Sequence, residues 1–210
     1  TTNSNNDAVN ATGANAIAVG FNSSGTAENA LAIGNSAAAE AANTIAIGQS
    51  TNAQYSDSIA IGGGADTRSV GSVAIGVSSI AGTSTQSDYY KNAVAVGYNA
   101  QATGAYTVSV GENSKATVFG GTALGRYAWS TSDHAIAING TASGYSSIAV
   151  GVSSKSTSTS SIAIGNGAEA TYTSSIAMGA DTAASGSYAT ALGSDATASG
   201  IYSTAVGYAA

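Results

Sequence analysis

Along the chain one four-residue pattern of apolar and small residues recurs: an apolar residue or Thr, then Ala or Ser, then an apolar residue, then Gly or Asn. It reads "LAIG" at 31, "IAIG" at 45, "VAVG" at 94 and "IAIG" at 162. The fourteen copies start at 17, 31, 45, 59, 73, 94, 108, 122, 136, 148, 162, 176, 190 and 204, and eleven of the thirteen spacings are 14 residues. The two exceptions keep the frame. A seven-residue insertion lies within 79–92, and a two-residue deletion lies within 139–147. Self-similarity at a fixed short period marks an architecture in which each unit stacks on its neighbours.

Alternation at period two inside each copy predicts a strand, with Ile45 and Ile47 on one face and Ala46 on the other. Small residues three and five positions after the Gly, such as Ala37 with Ala39 and Ala168 with Ala170, predict a second, shorter strand. Two short strands and two turns cannot bury their own apolar face, so the expected fold is all-β, a parallel β-solenoid of about 14 coils of 14 residues. At about 4.8 Å per stacked strand it would form a rod roughly 65–70 Å long. Residues 1–10 are expected to be an N-terminal cap or lead-in, and 11–210 a single β-roll domain.

The Ile and Val side chains are expected to fill the coil, because large apolar groups gain most from leaving water. The Ala face would then allow a partner subunit to approach. This places Ala18, Ala32, Ala46, Ala60, Ala74, Ala95, Ala137, Ala149, Ala163 and Ala177 at an expected trimer interface. A thin roll is marginal alone, which gives association a physical motive.

The residue closing each phrase is expected to turn the chain at positive φ, where a side chain is disfavoured. These turn residues are Gly20, Gly34, Gly48, Gly62, Gly76, Gly97, Gly111, Gly125, Gly151, Gly165, Gly179, Gly193 and Gly207. At the remaining copy Asn139 stands in, the residue type that tolerates positive φ best after Gly. "AAAEAA" at 37–42 has helix-forming composition, but it is too short for an unaided helix and lies in register with the other second strands.

Composition narrows the function. Apolar residues are 43% of the 210, yet most are Ala, with two Phe, one Trp and one Met, so any core is thin. Charged residues are 8%, and the net charge of −6 comes from eleven carboxylates and five basic residues without runs of either sign. Nucleic acid is therefore not an expected partner. Cysteine is absent, which excludes thiol chemistry. No apolar run approaches the roughly 20 residues of a membrane span, so no direct membrane insertion by this segment is expected.

No enzyme site is expected. "AIGGGAD" at 60–66 and "GGTALG" at 120–125 imitate phosphate-binding glycine loops, but the next strand arrives too soon for the βαβ unit such loops require. His134, the only histidine, has Asp133 beside it in sequence, without an oxyanion or nucleophile-elbow motif. The carboxylates lack metal-ligand spacing, so no metal or cofactor is expected. The candidate ligand contacts are aromatic and basic residues at variable positions. Tyr89, Tyr90 and Lys91 lie in the insertion, and Arg126, Tyr127 and Trp129 form a cluster. Tyr188 and Tyr202 share a place in adjacent coils and are expected to stack.

Successive "NALAIGNSA", "NTIAIGQS" and "DSIAIGGGA" segments resemble the head repeats of YadA-like trimeric autotransporter adhesins, from about residue 11 to 210. The resemblance implies a left-handed parallel β-roll associated as a homotrimer on the bacterial cell surface. It implies binding to host extracellular matrix proteins such as collagen, fibronectin or laminin, autoagglutination, and a part in virulence. Attachment to the outer membrane would use a C-terminal anchor outside this chain. Thr122, Thr190 and Thr204 depart from the usual Ile or Val, and Ser109 from Ala. An ice-binding solenoid would need a regular Thr array, and Thr-x-Thr at 83–85, 157–159 and 171–173 does not fall at one place in successive coils. The remaining alternatives are a structural spacer of a surface fibre and a polysaccharide-cleaving β-helix, which needs wider coils and a catalytic groove.

Overall fold

The computed structural model describes residues 9–83 and 92–210, and among them the chain forms short strands and turns with no helix. The chain divides into two compact units, 1–113 and 114–210, built from the same kind of coil. In the first, three-residue strands run from Ile17–Val19 to Val108–Val110 and two-residue strands from Asn10–Ala11 to Gln101–Ala102. In the second, the corresponding series run from Thr122–Leu124 to Thr204–Val206 and from Lys115–Ala116 to Thr197–Ala198. Within each unit every strand pairs in parallel with its equivalent in the next coil, for example Ile45↔Ile59 and Ala38↔Asn52. This is the all-β parallel β-solenoid of about fourteen coils that the repeat predicts. The frame survives both irregularities, since Val73 pairs with Val94 across the insertion and Ile136 with Ile148 across the deletion. Within "AAAEAA", Ala38–Ala39 is a strand.

The coil is packed the opposite way from the sequence expectation. Ala32, Ala46, Ala60, Ala74, Ala95, Ala137, Ala149, Ala163 and Ala177 are 0% exposed, buried inside their own coils. Ala18 is half-buried at the same inward place. The nine buried alanines present no surface to a partner, and Ala18 faces inward with them, so the Ala-faced interface is corrected. Ile45 and Ile47, on the other face of the alternation, point outward and are half-buried. The reason is width. A Cβ added to Gly25 would stand 3.2 Å from the carbonyl oxygen of Ile17 across the coil. Opposed strands that close leave room for methyl and hydroxymethyl groups and not for an Ile side chain. Among the described residues the largest fully buried side chains are threonines such as Thr44 and Thr51.

Buried hydroxyls are affordable only if hydrogen-bonded. Several of them bond back across the turn to the carbonyl three residues earlier. Ser23 Oγ donates to Gly20 O at 2.9 Å, Thr51 Oγ1 to Gly48 O at 3.0 Å and Ser154 Oγ to Gly151 O at 2.8 Å. The turns are thereby tied to the interior. Ser109 replaces Ala inside the coil and is 0% exposed, whereas Thr122, Thr190 and Thr204 occupy the outward column and leave the interior unchanged.

The phrase-closing glycines all have positive φ, from +104 at Gly125 to +140 at Gly179. Stacking imposes a second demand on them. A Cβ on Gly48 (φ +132) would lie 2.8 Å from the Gly62 carbonyl carbon and 2.9 Å from its oxygen in the next coil. Gly48→Ala should therefore lower stability by about 1–3 kcal/mol, since neither the dihedral nor the backbone ahead of it can give way cheaply. Urea unfolding followed by circular dichroism checks this, and an unchanged midpoint would remove the steric account. Asn139 is no simple substitute: its φ of +54 is the ordinary left-handed conformation, and it sits where the coil is two residues short.

The described turns also hold a residue in the ordinary left-handed conformation, and in the first four coils, at the turn before the three-residue strand, this residue is Asn15, Asn29, Asn43 and Asp57. Asn and Asp are the side-chain-bearing residues most tolerant of that conformation. Their side chains form a ladder: Asn15 Nδ2 donates to Asn29 Oδ1 at 3.2 Å, Asn29 to Asn43 at 3.0 Å and Asn43 to Asp57 at 3.0 Å.

Candidate functional site

With the interior uniform and small, chemical variety is confined to the outward columns. Two apolar columns run up the three-residue strands. In the first unit they include Leu31 with Ile33 and Ile59 with Ile61, and in the second Ile148 with Val150 and Ile162 with Ile164. All are half-buried or exposed, and the few edge residues are more so, as at Val206, 65% exposed. A stripe of this kind, repeated coil after coil, leaves apolar area in water that a second copy could cover.

The turns carry the aromatic residues. Tyr188 and Tyr202 stack as equal places in adjacent coils predict, with ring centroids 5.0 Å apart and planes 13° from parallel. Both have the left-handed backbone conformation, φ +60 and +59, an unusual one for so bulky a side chain. His134 lies at the same place in its coil, edge-to-face with Phe119 and Tyr145, whose ring centroids are 5.2 and 5.9 Å from its own. The histidine is exposed and belongs to an aromatic row. Tyr89, Tyr90 and Lys91 lie outside the described residues.

Arg126 lies against Tyr127, and Trp129 lies against Lys115 of the coil before it. Arg126 Cζ lies 5.2 Å from the centroid of the Tyr127 ring, and Lys115 Nζ lies 5.6 Å from the Trp129 ring. The deletion shapes the surface beside them. Where other coils carry a full turn after the three-residue strand, Asn139 leads through Gly140 directly into Thr141–Ala142. The shortened corner leaves a pocket of about 350 Å³. Arg126 and Tyr127 of the preceding coil wall one side, and Val152 and Ser153 of the following coil wall the other. Asn139, Gly140 and Thr141 line it between them.

Thr141 connects this pocket to a row on the two-residue strands. In register, Lys115 pairs with Trp129, Trp129 with Thr141, and Thr141 with Lys155. Lys155 Nζ meets Glu169 Oε1 at 2.8 Å. That hydrogen bond, and then the attraction of the carboxylate charge, raise the lysine pKa above its ordinary value. The sequence reading found Arg126, Tyr127 and Trp129 but missed Lys115 and Lys155. Their signal was available as equal places in neighbouring coils once the two missing residues are counted.

A repeating coil with a small closed interior and variable turns belongs to the class of solenoids that display their surface. The family profile of the YadA head domain repeat matches residues 10–23, 26–51, 39–65, 56–79, 91–114, 119–138, 142–168, 156–182, 170–196 and 184–210. The chain belongs to this family, which suggests an adhesin-like and generally non-enzymatic role. Comparison with curated proteins gives no significant match.

Proposed function

We propose that this chain is the non-catalytic head of a bacterial surface adhesin that assembles as a homotrimer and binds host extracellular matrix proteins such as collagen, fibronectin or laminin. The observation that carries this reading is the stripe of mostly Ile, Val and Leu that faces outward on the three-residue strands of each unit, together with the aromatic and basic residues on the turns. The stripe has the repeat of the coil itself and offers the same surface in every copy, which suits self-association about a symmetry axis. Tyr188, Tyr202, Arg126, Tyr127 and Trp129, with Tyr89, Tyr90 and Lys91 of the insertion, are the contact residues in this reading, since aromatic and Arg side chains dominate binding surfaces. Residues 11–210 act as one head domain, with 1–10 leading into it. Display at the outer membrane, through an anchor outside these residues, would also support autoagglutination.

Three copies multiply weak contacts through effective concentration, so the trimer is the form to test. Solid-phase binding to collagen, fibronectin, laminin and cultured cells should be saturable for at least one surface and should fall when residues 84–90 are deleted. A stable trimer that binds none of them, and does not agglutinate cells that display it, would overturn the adhesin reading.

A further inference from the structure

We propose that the shortened coil at Asn139–Thr141 forms, with the row beside it, a binding site for an anionic carbohydrate chain. The protein has five basic residues, Arg68, Lys91, Lys115, Arg126 and Lys155, against eleven carboxylates. Arg126 and Lys155 lie on the coils that flank this irregular one, and Lys115 lies one coil further along the same sheet. Lys115, Trp129, Thr141 and Lys155 occupy successive rungs of one sheet. At about 4.8 Å per rung, the two lysines mark the ends of a track about 14 Å long. Arg126 stands at the corner where the pocket opens, and Thr141 belongs to both the pocket and the track.

The pairing is equally directed. Among the described residues, the ion pairs are Arg68 with Asp66 and Lys155 with Glu169. Lys115 and Arg126 instead lie over the Trp129 and Tyr127 rings. Two cations held against aromatic rings, rather than by carboxylates, remain able to accept an anion. Trp129 is 43% exposed and Tyr127 53% exposed. Tyr127 keeps that position at φ +57, a backbone conformation uncommon for a bulky residue and of the kind found at functional sites.

The chemistry of the occupant follows from this set. Carboxylate or sulfate groups would meet Lys115 and Arg126. The apolar faces of sugar rings would lie against Trp129 and Tyr127, and ring hydroxyls would exchange hydrogen bonds with Asn139, Thr141 and Ser153. An open pocket of about 350 Å³ beside a shallow track suits a chain running along the surface better than a small molecule enclosed on all sides. An acidic peptide would satisfy the cations but would leave the exposed rings and the amide and hydroxyl groups of the pocket less used. The site names a partner class that the adhesin reading does not. Its test reads direct binding by the soluble protein, so failure of matrix attachment would leave it standing.

Calorimetric titration of the whole protein with heparin oligosaccharides, sulfated and carboxylated, and with hyaluronan oligosaccharides, carboxylated only, separates the two anion types. Saturable binding of either, weakening as salt rises, supports the site. Arg126→Gln and Trp129→Ala should each reduce affinity about tenfold, as expected for losing a charge-assisted contact or an aromatic anchor. Lys115→Gln should weaken binding in the same direction, and Arg68→Gln should have no effect. These side chains are exposed or half-exposed, and an unchanged thermal midpoint verifies that each variant is folded. The proposal is overturned if neither glycan binds, if polyglutamate or a neutral glucan binds as well as the anionic glycans, or if the folded Arg126 and Trp129 variants bind like the parent.

Discussion

Replacing Ala46 with leucine should destabilise the protein by about 3 kcal/mol or more, at the upper end of the usual cost of overpacking. Ala46 is 0% exposed and lies in register between Ala32 and Ala60, both also 0% exposed. A leucine there cannot turn away into a neighbouring layer, because the interior has no second layer: the opposite wall is the short strand of the same coil. The added carbons must push the two strands apart, which would strain the parallel pairing to the coils on both sides. In a one-dimensional stack that damage interrupts propagation between neighbours. Ile45→Ala, one residue away, removes an outward side chain and should lower the stability of the isolated chain by about 1 kcal/mol or less. Denaturant unfolding of the two variants compares them directly. A tolerated Ala46→Leu beside a costly Ile45→Ala would put the isoleucine inside and reverse the packing described above.

The period, the strand pair in each unit and the preservation of register were legible in the sequence, because they depend on position alone. Which face turned inward was not. Alternation between Ile45, Ala46 and Ile47 shows that the two faces differ, but it is symmetrical with respect to inside and outside. The preference of large apolar groups for the interior would ordinarily decide the matter, yet it assumes that the interior has room. In this coil the turns and the inter-coil hydrogen bonds set the width first. The approach of Gly25 to Ile17 shows how little remains. The glycine column was similarly half legible. Positive φ could be inferred from its composition, while the carbonyl of the next coil facing Gly48 appears only once coils are stacked.

The candidate site has the same division. Tyr188 and Tyr202 could be matched because 14 residues separate them. Lys115, Trp129, Thr141 and Lys155 are separated by 14, 12 and 14 residues, so the two-residue deletion hides one alignment until the pairing is known. The deletion itself was visible as a break in spacing. Its consequence, a shortened corner between two full turns, depends on what the neighbouring coils place around it.

Inverting the coil moves the expected trimer contact to the stripe formed by Ile and Val, and this leads to the second large effect. Changing Ile45, Ile47, Ile59 and Ile61 together to serine should abolish formation of the proposed homotrimer while leaving the strand content intact. These four residues occupy two adjacent rungs and are all half-buried in the single chain. At roughly 25 cal/mol per Å² of apolar surface, covering the exposed remainder of each by a neighbouring chain would contribute on the order of 1 kcal/mol. Two neighbours would benefit from every such face in the proposed closed three-fold ring, so twelve substituted side chains would leave that interface at once. The interior is untouched, because Ala46 and Ala60 remain the inward residues of the same strands. Sedimentation equilibrium and circular dichroism separate the two levels of structure. A folded variant that remains trimeric would exclude these strands as the contact, and a parent chain that stays monomeric at high concentration would exclude self-association through the stripe altogether. The fall in avidity that accompanies monomer formation should in turn weaken attachment to matrix far more than it weakens the binding of a single oligosaccharide chain, since only the former counts on three copies acting together.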